Sequence, residues 1–255
     1  MVVTTKGVIL KRRNIGEQDV ILTVLTDELG IIEASARGVK KTKSKLSGGT
    51  QPFCYSDLSL TRFKDRYIVT GASAIESFYK LRYDVVKVAL ADYAAELIGY
   101  LSPAGEQLGS VKRLYLNMLY LLCEERKTPA FLKAVFELRL LSLSGFMPDL
   151  VCCHECAAFE NVALLLNLQQ GYLLCENCLP KEDVTSYEFL TPSLLAALRH
   201  IIYAEDGKEF GFTASDQTIE RMEQLIERYT LYHTERSFRP LELYRALISE
   251  DLIKS

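Results

Sequence analysis

The chain has 255 residues, 49% of them apolar and 25% charged, and a formal net charge of −3. That balance excludes wholesale disorder, and no stretch approaches the roughly 18 uninterrupted apolar residues of a membrane helix. The length allows one large domain or two to three small ones; MVVTTKGVILKRRN holds only Gly7 to Leu10 as an apolar run, too short for a signal-peptide core, so a cytoplasmic protein is expected.

Residues 1–80 are predicted as strands. Gly7 to Lys11 is a first short strand. Val20, Leu22 and Val24 alternate with Ile21, Thr23 and Leu25 up to the turn Thr26–Gly30, and Ile31–Ala36 returns as the partner strand. Tyr55–Thr61 alternates with period two, Lys64-Asp65-Arg66 turns, and Tyr67–Thr70 returns. Five short strands in about 75 residues suit a small closed barrel.

Between the two hairpins lies a basic loop. Arg37, Lys40, Lys41, Lys43 and Lys45 fall within nine residues, and Gly38, Gly48 and Gly49 are expected to make the loop flexible. Residues 1–80 carry 13 Lys and Arg against 8 Asp and Glu, a net of +5, while residues 81–255 carry 17 against 25, a net of −8. A basic module that meets a polyanion, joined to an acidic module, is the expectation. Cations attract phosphates and release condensed counterions, which binds nucleic acid without regard to sequence. Lys11, Arg12 and Arg13 extend the patch. Phe53, Tyr55, Phe63 and Tyr67 are stacking candidates, although aromatics in a small barrel are more often core.

From about residue 83 the period becomes helical. Leu90, Tyr93, Ala94, Leu97 and Leu101 form one stripe, Ser102-Pro103-Ala104-Gly105 breaks it, and Leu114, Met118, Leu121 and Leu122 form another. Thr128-Pro129 opens a helix over Ala130–Ser144, Thr191-Pro192 opens one to about Tyr203, and Ser215-Asp216 starts a long one through Tyr229. A last helix is predicted near Leu241–Ile248. The expected division is 1–80 for the barrel, 81–148 with 186–255 for a helical domain, and 149–185 for an insert.

The insert carries Cys153-x-x-Cys156 and Cys175-x-x-Cys178, with 18 residues between the pairs. That spacing points to one structural Zn²⁺ held by four thiolates. A hairpin of Val162–Asn167 and Gly171–Leu174 between them makes it a zinc ribbon. A redox reading needs a thioredoxin-like βαβ context, which is absent. Cys152 or His154 could replace Cys153, but only Cys153 gives the two-residue gap. Cys54 and Cys123 read as buried apolar residues.

Catalytic signatures are missing: there is no phosphate loop, no G-x-G-x-x-G and no G-x-S-x-G. His200 reads as a helix-end residue and His233 as part of a polar helix face. Glu124-Glu125 and Glu182-Asp183 read as solvated charges. A binding protein, not an enzyme, is expected.

The stretch from Gly7 to Phe53 resembles the N-terminus of the bacterial RecO family. It carries Gly16-Glu17-Gln18-Asp19, then Thr26 to Gly30, then the basic loop, then Gln51-Pro52-Phe53. The resemblance continues through Ala91-Asp92-Tyr93, Phe136-Glu137-Leu138-Arg139, Gly145-Phe146-x-Pro148 and the four paired cysteines. It implies a multidomain α+β protein: an N-terminal OB-fold barrel, a helical domain and an inserted zinc ribbon. It also implies a recombination mediator that binds single- and double-stranded DNA and anneals strands. With RecR, such a mediator loads the RecA recombinase onto DNA covered by single-stranded-DNA-binding protein, without nucleotide hydrolysis, small-molecule substrate or membrane, in a cytoplasmic, nucleoid-associated setting. The family's basic positions fall on Arg37, Lys40, Lys41, Lys43 and Lys45, and its zinc ligands on Cys153, Cys156, Cys175 and Cys178. Two departures stand out. "QQGYLL" replaces a common Gly-Gly before the second cysteine pair. Some members have paired basic residues just before Phe-Glu-Leu that bear on the acidic tail of single-stranded-DNA-binding protein; here Lys133 stands three places earlier than Phe136, with Ala134-Val135 between. Two other readings are a zinc-stabilised adaptor that binds only proteins and a zinc-dependent hydrolase. A gel shift with single-stranded DNA separates the first, and activity lost to chelators in a folded protein identifies the second.

Overall fold

The computed structural model describes residues 2–64, 66–102, 108–159, 163–180 and 184–254. Asp65 of the predicted turn, the Pro103-Ala104-Gly105 break, Val162 and the Glu182-Asp183 pair lie outside the described residues. The chain forms two compact units, Met1–Glu125 with Phe238–Ser255, and Arg126–Ser237.

The first unit begins with a closed five-stranded barrel: β1 (Val2–Ile15), β2 (Asp19–Thr26), β3 (Ile31–Ala36), β4 (Tyr55–Phe63) and β5 (Arg66–Glu76), in the order β1-β2-β3-β5-β4. Strand β1 is 14 residues long, well beyond the expected Gly7 to Lys11, because it serves two neighbours. Val2–Val8 pair with β4, and Gly7–Ile15 pair with β2. A register shift between Ile9 and Lys11 bends the strand between these two tasks. Parallel pairing of Ala34 with Tyr67 and Ser35 with Ile68 joins β3 to β5 and removes the open edge. The predicted alternation reaches the core directly: Val20, Leu22 and Val24 are buried beside Ile9, Leu58 and Val69.

Gly7 lies where β1 crosses closest to β2. A Cβ there would stand 2.7 Å from Val24 Cγ1 and 3.0 Å from the Leu25 carbonyl oxygen. Gly7→Ala is therefore expected to destabilise the barrel by about 1–3 kcal/mol, an overpacking cost. Urea unfolding followed at the barrel checks it, and an unchanged midpoint refutes the close approach.

After the barrel come a short 3-10 turn (Tyr79–Tyr83), α1 (Val85–Leu101) and α2 (Gly109–Cys123). The Asp84 carboxylate caps α1 by accepting from the backbone N–H groups of Val86 and Lys87. Leu90, Tyr93, Ala94 and Leu97 are buried as the spacing predicts. The last helix, α6 (Arg239–Lys254), packs on α1, with Phe238 edge-on to Tyr93 at 5.6 Å between ring centroids.

The second unit contains α3 (Pro129–Leu143), a four-stranded sheet, α4 (Pro192–Tyr203) and α5 (Asp216–Thr234). Thr128 and Thr191 cap α3 and α4, each followed by Pro at the first helical position, and Ser215 caps α5. The sheet is β6 (Asp149–Cys153), β7 (Leu164–Asn167), β8 (Tyr172–Cys175) and β9 (Tyr187–Leu190), in the order β6-β8-β7-β9. The predicted hairpin is its centre, and β6 and β9 add an edge on each side.

Candidate nucleic-acid interface and metal centre

The basic loop runs from Arg37 to Cys54 between β3 and β4, and short backbone bonds fold it into successive turns. Lys41 N–H donates to the Gly38 carbonyl, Ser44 N–H to Lys41, and Ser47 N–H to Ser44. Two bonds pin it to the β1–β2 turn: Lys40 N–H donates to the Gln18 carbonyl at 3.1 Å, and Gly38 N–H to the Asp19 carboxylate at 2.7 Å. Val39 and Thr50 are buried beneath it. Two of the three loop glycines have a geometric role. Gly38 takes a positive φ of 63°, and Gly49 lies so close to Ala72 that a Cβ would meet its backbone at 2.9 Å.

With the backbone fixed, the cations face outward. Arg37, Lys40, Lys41, Lys43 and Lys45 are all exposed, and none takes part in an ion pair among the described residues. Lys11 and Arg13 are exposed on β1, with Lys11 within electrostatic reach of Asp92. Arg12 differs: it is half-buried, its Nη1 donates to Gln51 Oε1 at 2.9 Å, and its buried Nε has no partner. Of the aromatic candidates, Phe53 is core and Tyr55 and Tyr67 are half-buried under Lys112 and Arg62, while Phe63 is exposed.

The four paired cysteines converge in the second unit. The Sγ atoms of Cys153, Cys156, Cys175 and Cys178 all lie within 4.8 Å of one another, and those of Cys156 and Cys175 are 3.6 Å apart. A tetrahedral Zn²⁺ with Zn–S bonds of about 2.3 Å separates its sulfurs by roughly 3.8 Å, so the donor set fits that ion. Cys153 closes β6 and Cys175 closes β8, and the two strands are neighbours. Cys175 N–H donates to Cys153 Sγ at 3.3 Å, and Ala157, at a φ of +58°, returns its N–H to the Cys153 carbonyl. Burial opposes ionisation of Cys153, but backbone N–H groups of Cys156, Cys175 and Glu155 outweigh it and bring the thiol down to about 6. The Cys178 thiol is pushed up to about 12, first by Cys156 and then by Cys175. Four sulfurs that compete for protons in this way are ready for a shared cation. Cys152 and His154 stand outside the group; the His154 ring stacks on Tyr172 at 4.7 Å.

Comparison with known proteins covers nearly the whole chain. The model for the recombination protein O N-terminal region matches residues 1–78, and the C-terminal one matches residues 82–242. The chain belongs to the RecO family of DNA repair and recombination proteins. A DNA repair protein RecO from Acetivibrio thermocellus is 29% identical over 243 residues, spanning 95% of this chain and 96% of that protein. Another from Caldicellulosiruptor bescii is 32% identical over 182 residues, 71% of this chain and 74% of that protein. One from Dehalococcoides mccartyi is 36% identical over 177 residues, 68% and 69% of the two chains.

The two departures from the RecO pattern have physical outcomes. Lys133 is fully buried on α3, with its Nζ 3.2 Å from Glu137 and 2.7 Å from Glu227. Burial opposes its charge, but Glu137 and Glu227 outweigh that and hold its pKa above the usual value. Such a lysine is a buried member of an ion-pair network. Before Cys175, one glycine suffices: Gly171 takes φ +71°, and the Asn167 side chain accepts from the N–H groups of Gln169 and Gln170. The expectation for His233 also changes. His233 is half-buried and packs against the rings of Phe146, Tyr229 and Tyr232 rather than facing water. Glu124 and Glu125 form surface pairs with Lys80 at 2.9 Å and Lys87 at 2.6 Å, and the exposed Glu125 stays a solvated charge. No helix among the described residues is long and apolar enough to cross a membrane.

Proposed function

We propose that the chain is a non-enzymatic DNA-binding recombination mediator. Residues 1–80 form its nucleic-acid module, in which Arg37, Lys40, Lys41, Lys43 and Lys45 grip phosphates, with Lys11, Arg12 and Arg13 widening the patch. The observation that carries this reading is the pinned loop whose five cations are exposed and unpaired, on a closed barrel, in a RecO-family chain. Backbone gripping leaves base edges free. Two strands held by their phosphates are concentrated and screened from each other, which favours annealing. The family resemblance extends the role to single- and double-stranded DNA, to RecR, and to recombinase loading on DNA covered by single-stranded-DNA-binding protein. One structural Zn²⁺ on Cys153, Cys156, Cys175 and Cys178 braces the insert; four thiolates close its coordination sphere and leave no position for a substrate water.

A salt titration of single-strand binding tests the reading. If five contacts form, log affinity falls against log salt with a slope of roughly −3 to −4. A slope near zero, or no binding of either DNA form, favours the protein-only adaptor instead.

A further inference from the structure

The turn between the barrel and α1 displays an arrangement that the basic loop does not account for. Tyr79 and Tyr83 are large and aromatic, yet they are 54% and 75% exposed. Their rings meet edge-on at 5.3 Å. The Arg82 guanidinium lies 5.4 Å from the centre of the Tyr79 ring. Tyr79 is thus occupied on one side by Arg82 and along its edge by Tyr83, while most of Tyr83 faces water.

The backbone beneath is fixed rather than loose. Phe78 and Leu81 are buried, so the turn alternates anchors with displayed side chains. Phe78 takes a positive φ of 46°, and the Glu76 carboxylate holds that strained step by accepting from the N–H groups of Ser77 and Phe78 at 2.8 and 3.0 Å. The Lys80–Glu124 pair and the Asp84 cap secure the turn's flanks. Two exposed aromatic rings on a held turn are preorganised for a flat apolar ligand.

Charge identifies the ligand's other half. Arg82 is within electrostatic reach of Arg12 and of Cys54, the residue that ends the basic loop. Arg12 in turn bonds Gln51 of that loop and keeps a buried Nε without a partner. Neither arginine is in an ion pair among the described residues. A guanidinium beside exposed rings, within electrostatic reach of a second whose buried Nε lacks a partner, can take an anion. A planar group beside an anion is the chemistry of a nucleotide. We infer that Tyr83, braced by Tyr79, is the base-stacking platform of a single-strand subsite in which Arg12 and Arg82 hold the adjoining phosphate. This rests on the reading of the chain as a DNA binder, and adds a base contact to the backbone grip.

Binding of the full-length protein to oligothymidine and to an abasic strand of equal length tests it. Tyr83→Ala is expected to weaken oligothymidine binding roughly tenfold, the scale of one stacked base. It should leave the abasic strand and the salt slope unchanged, and Tyr83→Phe, which keeps the ring, should bind as wild type. The inference is overturned if Tyr83→Ala matches wild type on oligothymidine, or weakens both strands alike. A wild-type protein that binds neither strand overturns the DNA-binding reading itself, and the subsite with it.

Discussion

Replacing Lys40, Lys41 and Lys43 together with glutamate is expected to lower single-strand affinity roughly 10²–10³-fold at about 0.05 M salt. Each phosphate contact on a single strand releases about 0.7 counterion, so three lost contacts remove about 2.7 log units at that concentration. The salt slope should flatten from about −3.5 to about −1.4, the share of the two contacts left. The loss should be the same for every sequence, because phosphates carry no base information. Stability should hardly change: the three side chains are exposed and unpaired, while the loop's anchors are backbone bonds and the buried Val39 and Thr50. A variant that binds like wild type, with the wild-type slope, puts the contact surface elsewhere.

The barrel was legible because period two states its own inward face. Val20, Leu22 and Val24 needed no tertiary information to be placed. The helix starts were equally plain, since Thr128-Pro129, Thr191-Pro192 and Ser215-Asp216 carry their capping chemistry in two residues. Non-local pairing was hidden. Nothing in Val2–Ile15 announces that one strand serves two neighbours, and β6 and β9 lack alternation because each adds only one side of a small sheet. The packing of α6 on α1 depends on Phe238 meeting Tyr93, which helical spacing cannot express. At the candidate site, charge density marked the loop and cysteine spacing marked the thiol cluster. The demand on Gly49 was hidden, because it comes from the Ala72 backbone 2.9 Å away. The burial of Lys133 could not be read from sequence, because Glu227, which pairs with it, is distant in the chain. Tyr79 to Tyr83 fell between the two periodic patterns, so only its exposure in three dimensions draws notice. The signal it did carry was an alternation of Tyr, Lys, Leu, Arg and Tyr.

Stripping the metal should cost more than any single substitution in the molecule. The full-length protein is expected to carry one zinc per chain, and a strong chelator should unfold β6–β9. The sheet is too slight to stand by itself: β7 and β8 have four residues each, and two of the four thiols, Cys153 and Cys175, are among its buried residues. Zinc binding to small thiolate sites is worth about 10–16 kcal/mol near neutral pH, comparable with or above the whole stability of an ordinary domain, about 5–15 kcal/mol. Cys175→Ser should mimic the chelator, since it removes one of the four thiolate ligands. Cobalt substitution should give the absorption of a tetrahedral thiolate site in wild type and lose it in the variant. The salt slope of DNA binding should survive chelation, because the loop cations and their anchors belong to the barrel. Protection of the β7–β8 amides that persists without metal would mean that the thiols merely pack, and that the insert is held by its leucines alone. A catalytic activity abolished by chelation while those amides stay protected would instead reveal an open zinc site.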